Sequence, residues 1–236
     1  MFVAAISHVC VFLQKNDRKV YILFSMVDMN LLAMEPVSMK SIFSNGNRQK
    51  IKNYDYFLKS DKNDSSENYR YWLSCRWESK VKKFAIVIGK NPSTGFSKKT
   101  DHTLSKIRNC LKKEGFDGFI IVNRNPVVDK ALKKARFRNA TGAIKEKNST
   151  IINRLLEFEP DALICAWGSG INKKCGVTIE ETLPMMGLSF ETLRPIIKVF
   201  GINKNNSPRH PCWGKISLVN YEYSLCNRVK SLKKNL

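Results

Sequence analysis

"IVIGKNPSTGF", Ile86 to Phe96, decides how the chain is read. Three apolar residues and a glycine form the short, uninterrupted run expected of a strand buried on both faces of a parallel sheet. The polar turn that follows, Asn91, Pro92, Ser93 and Thr94, is what such a strand delivers to a cleft at its carboxyl end. The same unit recurs downstream. "FDGFIIVNRN" and "DALICAWGSG" are further buried strands ending in polar or glycine-rich turns, and "IIKVFGI" is a last one. Between them lie helical stretches. "HTLSKIRNCLKKEG" places Leu104, Ile107 and Leu111 at helical spacing before a Gly115 stop. "NSTIINRLLEFEP" reads as a helix capped by Asn148 or Ser149, with Pro160 beyond its end. "TIEETLPMMG" is a helix interrupted by Pro184, and a basic helix closes the chain. Strand and helix alternate, so the expected class is α/β: three layers, α/β/α, around a central, mainly parallel four-stranded sheet.

Upstream, "YRYWLSCRW" reads as a strand and opens the compact domain, expected over residues 69–236. Residues 1–68 are expected to be a partly irregular extension. Its first stretch is apolar but broken by Lys15, Asp17, Arg18 and Lys19, too short to span a membrane, and reads as two strands or as poorly ordered sequence; Ser44 to Asn68 reads as linker or surface loop.

Lys and Arg total 41 against 20 Asp and Glu, a formal net charge of +21. Such self-repulsion calls for a polyanion, and nucleic acid is the first partner to consider. The seven cysteines form no C-x-x-C pair and no tight spacing with histidine, which points to reduced thiols in a cytoplasm, with Cys165 a small core residue. No membrane contact, obligatory protein partner, cofactor or metal is expected. "GKNPSTG" is not a phosphate loop: its Gly-Lys is misplaced and Pro92 removes a backbone donor.

The turns after the four core strands, "GKNPST", "NRNPVVD", "WGSGINKK" and "SPRHPCWG", should converge on one cleft. His210 stands in a turn stiffened by Pro208 and Pro211, and Asn91 and Asn123 each follow a strand directly.

In this order the four turns resemble the motif series of the uracil-DNA glycosylase superfamily. Gly89 to Pro92 is similar to its water-positioning motif, Gly-Gln-Asp-Pro-Tyr in the uracil enzymes and Gly-Ile-Asn-Pro in the mismatch-specific branch. The strand ending at Asn123 resembles the one whose terminal Asn reads the pyrimidine. The stretch through Trp167 looks like the strand preceding the DNA-binding loop, and "RHPCWG" is similar to the His-Pro-Ser loop that enters the minor groove. From about Tyr69 to Trp213 the chain is also similar to a bacterial and phage family of unknown function with NPST, VN, AWG and PRHP signatures. Two departures stand out: Asn91 replaces the carboxylate base, and Cys212 and Trp213 replace Ser-Pro.

The resemblance implies a glycosylase-like fold and excision of a base flipped from double-stranded DNA by N-glycosidic hydrolysis. Asn91 would orient water, His210 would donate to the base oxygen, and Asp101 is the candidate base, with Asp129 as its alternative. Pro92, Ser93, Phe96, Asn123 and Trp167 would form the base pocket. Lys90, Arg124, Lys173, Lys174 and Arg209 would track phosphates, with Lys98, Lys99 and Lys215 nearby, and Trp213 would wedge into the duplex. Where the uracil enzymes carry an aromatic ring that excludes 5-substituents, this chain has Ser93. The resemblance therefore implies a 5-substituted pyrimidine, such as a hypermodified cytosine of phage DNA met in anti-phage defence. The alternatives are thymine or uracil mismatch repair, a non-catalytic nucleic-acid-binding module, and a hydrolase or transferase acting on nucleosides. A two-metal nuclease lacks the necessary acidic cluster.

Overall fold

The computed structural model describes residues 9–15, 18–24, 39–43, 47–51, 54–60, 69–92, 102–128, 142–169, 178–212 and 214–233. The chain divides into two compact units, Met1–Ser41 and Ile42–Leu236. In the first, β1 (Val9–Lys15) and β2 (Arg18–Phe24) pair as an antiparallel ribbon, with Val9 opposite Phe24 and Lys15 opposite Arg18.

The second unit is built on a mixed sheet of β3 (Asn47–Ile51), β4 (Tyr54–Ser60), β5 (Trp72–Arg76), β6 (Phe84–Gly89), β7 (Gly118–Asn123), β8 (Ala162–Cys165), β9 (Ile197–Val199) and β10 (Val219–Asn220). Their order is β10-β9-β8-β6-β7-β5-β4-β3. Its helices include α1 (His102–Lys113), α2 (Gly142–Leu156), α3 (Ile179–Met185), α4 (Phe190–Leu193) and α5 (Tyr221–Lys233).

The α/β class holds, and β7, β6, β8 and β9 are mutually parallel neighbours. The expected four-stranded sheet is corrected: antiparallel strands extend it on both sides. The cause lies in the connections. Residues 77–83, between β5 and β6, are too few for the helical crossover that parallel strands require, so β5 runs against its neighbour β7. The stretch Ser44 to Asn68, read as linker or surface loop, contributes β3 and β4.

Every residue of β6 is buried. Ala85 and Val87 join a core with Ile107, Cys110 and Leu111 of α1, Phe119 of β7 and Ile164 of β8. By strand alternation Ile86 and Ile88 point to the other face. The buried Ile151, Ile152 and Leu155 of α2 and Ile179 and Leu183 of α3 lie outside that core cluster and supply the second cover. Chain direction explains this division. The step from β6 to β7 runs one way along the sheet and the step from β7 to β8 runs back across β6, so right-handed crossovers place α1 and α2 on opposite faces. Such a reversal leaves a crevice at the carboxyl ends of the strands.

Helix α2 begins six residues before the expected Asn148 cap. Asn148 is 3 % exposed and occupies the core stripe with Ile151, Ile152 and Leu155. At α3 the start is fixed by a capping box, in which Thr178 accepts from the Glu181 amide and Glu181 accepts from the Thr178 amide. Burial pushes the Cys75 thiol up to about 12 and raises Cys165 further, so both behave as core side chains. Tyr221, buried where α5 begins, donates to Glu180 of α3 and stacks edge-on against Phe190.

Candidate functional site

The carboxyl ends of the parallel strands are stitched together by main-chain bonds. The Arg124 amide donates to the Gly89 carbonyl (3.0 Å), the Asn125 amide to that of Lys90 (3.1 Å) and the Ala166 amide to that of Ile88 (2.9 Å). The turn groups are therefore carried on a rigid ledge. After β9 an antiparallel bridge, Ile202 with Pro208, closes a loop that Asn203 braces from within, its Nδ2 donating to Ser207 Oγ (3.0 Å) and to the Pro208 carbonyl (3.3 Å). Arg209 and His210 leave this loop over the ledge, with the Arg209 amide bonded to the Gly201 carbonyl (2.8 Å).

These turns enclose a cavity of about 200 Å³. Asn91 and Pro92 come to it from the turn after β6, Asn123 from the end of β7, Ala166 from beyond β8, and His210 and Pro211 from the last loop. A larger space of about 530 Å³ adjoins it through the shared residues Lys90 and His210, and Trp167, Ser169, Arg209 and Cys212 line that one. The structure thus brings Asn91, Pro92, Asn123 and His210 to one cavity, and places Lys90, Trp167 and Arg209 in the chamber beside it. Asp101, Ser93, Phe96, Lys173, Lys174 and Trp213 lie outside the described residues, as do Asp129, Lys98 and Lys99.

Two glycines are required by this arrangement. A Cβ on Gly89 would stand 2.7 Å from Asn123 Oδ1, so the carboxamide reaches over that position only because it is bare. Gly168 adopts φ +77°, and a Cβ there would stand 2.9 Å from the Cβ of His210. Asn123 is 4 % exposed, and no described residue bonds its carboxamide.

His210 Nδ1 accepts from the Cys212 amide at 3.2 Å. An acceptor nitrogen carries no proton, so in the neutral ring the proton is on Nε2. Arg124 does not extend freely toward solvent. Its guanidinium lies 5.5 Å from the centre of the buried Trp167 ring, and burial lowers its pKa from the ordinary arginine value. Among the described residues no group of three or more His, Cys, Asp or Glu is placed to hold a metal ion. No helix there is long and apolar enough to cross a membrane.

The family described as "Protein of unknown function (DUF1643)" matches residues 70–212. The chain belongs to this family. The matched span begins beside β5 and ends in the His210 loop, so it contains every described residue of the smaller cavity. No curated protein and no solved structure matches the chain.

Some contributors were not singled out from sequence. Arg70 and Thr103 line the smaller cavity. Lys106 of α1 reaches the last loop, and Asn148 Nδ2 donates to the Asn123 carbonyl (2.9 Å) while its buried Oδ1 has no partner. The Asn148 signal was present: it stands three, four and seven residues before Ile151, Ile152 and Leu155, a polar side chain in an apolar stripe. Its replacement separates two effects. Asn148→Leu removes a donor but also an unsatisfied oxygen, and is expected to cost about 1 kcal/mol. Asn148→Asp sets a buried carboxylate against the Asn123 carbonyl and is expected to cost about 3 kcal/mol or more. Urea unfolding at neutral pH checks the order; a leucine variant less stable than the aspartate variant would contradict this account.

Proposed function

We propose that the protein is a DNA glycosylase that hydrolyses the N-glycosidic bond of a 5-substituted pyrimidine and leaves an abasic site. The observation that carries this reading is the Asn123 carboxamide, buried at 4 % exposure yet facing the cavity without a partner from the described residues. A ligand that covers this group and leaves it unpaired forfeits about 1–3 kcal/mol. A ligand edge offering both a donor and an acceptor offsets that cost, and a pyrimidine's pairing edge is such a ligand. The cavity of about 200 Å³ is ample for a six-membered ring, since a space of ~150 Å³ accepts benzene.

In this reading the C1′–N1 bond breaks and its electron pair goes to the base. His210, protonated on Nε2, donates to the base oxygen as charge gathers there. Asn91, exposed at the rim, orients the water whose oxygen adds to C1′ and whose proton passes to the departing base. A dissociative step of this kind needs no strong base, which suits asparagine at this position. Asp101 remains the candidate base if one is used. Lys90 and Arg209 at the mouth, with the net charge of +21, suit a phosphate backbone. Hypermodified cytosine of phage DNA is the proposed target, following the resemblance and the small Ser93.

The test is incubation of the purified protein with DNA carrying uracil, thymine mismatches, or hydroxymethylated and glucosylated cytosines, scored by alkali cleavage and released base. Abasic sites on a 5-substituted pyrimidine are expected. Ser93→Tyr should reduce release of a bulky base by about 10- to 100-fold, because a ring would occupy the space of the substituent. Intact activity in that variant would remove the argument for a 5-substituent. The described lining of both cavities carries no carboxylate, which favours, as a second reading, a module that holds a flipped base without cleaving it. That reading predicts salt-dependent binding to these DNAs and abasic sites in none.

A further inference from the structure

Lys106 makes no contact with the smaller cavity, yet its ammonium is committed to the loop that forms one wall of it. From a partly buried position on α1, Nζ donates to the Cys212 carbonyl at 3.0 Å and to the Gly214 carbonyl at 2.9 Å. These two carbonyls flank position 213. The peptide unit on the other side of Cys212 is the one whose N–H donates to His210 Nδ1 at 3.2 Å. The two contacts therefore hold one residue from both ends: the carbonyl of Cys212 is fixed by a cation and its amide is aimed at the imidazole. His210 is itself packed closely against Gly168, where an added Cβ would stand 2.9 Å from the His210 Cβ.

We infer that Lys106 is a positioning residue that holds the Cys212 peptide so that its amide occupies His210 Nδ1 and keeps the ring proton on Nε2, aimed at the ligand. The need for such a device follows from the loop itself. The described residues between Pro211 and β10 form no strand or helix, so the two Lys106 bonds anchor the main chain beside Cys212 where no regular element does. A bond from an ammonium to a carbonyl is stronger than a neutral one, and Lys106 makes two.

The catalytic consequence rests on the glycosylase reading, whereas the structural one does not, and the experiment separates them. Hydrogen exchange of the Cys212 amide is measured by NMR in the full-length protein, in Lys106→Met and in Lys106→Arg, with the amides of Ile86 and Ile120 in the central strands as the fold control. In Lys106→Met, exchange at Cys212 is expected to rise by about tenfold or more while the strand amides stay protected. Lys106→Arg, which keeps a cationic donor, should restore most of the protection. The His210 ring signals, easily assigned among only three histidines, should move in the methionine variant and return in the arginine variant.

On a substrate that the protein cleaves, Lys106→Met should lower kcat by about tenfold or more with KM little changed, since the group that is loosened acts on the developing charge. Unchanged exchange and unchanged His210 signals in Lys106→Met would overturn the proposal, whatever the activity. Loss of protection at Cys212 and in the central strands together would also overturn it, by showing a general structural role. If the wild-type protein cleaves none of the DNAs but Cys212 alone loses protection, the positioning role stands and the glycosylase reading falls.

Discussion

His210→Ala is expected to reduce base release by about 10²–10³-fold, the loss measured when one preorganised donor to a developing anion is removed. Substrate affinity should change far less, because a neutral donor interacts weakly with the base before the glycosidic bond begins to break. The ring is half-buried in a loop braced by Asn203 and Ser207, so its removal leaves the sheet and both helical layers intact. Single-turnover release from a cleavable duplex, with DNA binding measured in parallel, gives the two quantities separately. A variant that binds DNA normally and releases base at an undiminished rate would show that His210 takes no part in the chemistry. Its bond from Cys212 would then be ordinary turn structure.

Gly89→Ala should have the second largest effect, about 100-fold on activity, although the change is one methyl group and the residue bears no functional group. The added Cβ would fall 2.7 Å from Asn123 Oδ1, and the carboxamide is the part that must give way. A displacement of an ångström in a positioning group is sufficient for a loss of this size. Stability should suffer little, because a side-chain end moves more easily than a strand, and the melting temperature is expected to fall by no more than about 4 °C. A double-mutant cycle with Asn123→Ala gives the cleanest check. Once the carboxamide is absent the alanine has nothing to displace, so the two losses should not add. Additive losses would mean that Gly89 acts through some route other than Asn123.

Much of the site was legible because it is carried on the ends of buried strands. "IVIG", "FIIVN" and "LICAWG" are short apolar runs that only a sheet covered on both sides accommodates, and the rule for where such sheets bind ligands locates Asn91, Asn123 and His210 together. What could not be read is equally specific. The antiparallel direction of β5 depends on the length of a connection and not on the composition of the strand. Asn148 was read as a cap because Asn before an apolar stripe is a common helix start, and here the helix begins earlier, with burial overriding the local preference. Lys106 gave no signal at all, since its partners are main-chain carbonyls brought near only by the fold.

The sheet's two margins bear on how the protein behaves at concentration. An unpaired strand is a template for self-association, yet β10 is only two residues long and β3, at the far end, carries Arg48 and Lys50. Short length and positive charge are both means of discouraging one sheet from extending into another. On the proposed reading, a chain with this excess of cations has to meet its own copies without aggregating while still condensing on a polyanion. One short edge and one cationic edge would serve both demands, because a charge that repels a second copy attracts a phosphate backbone.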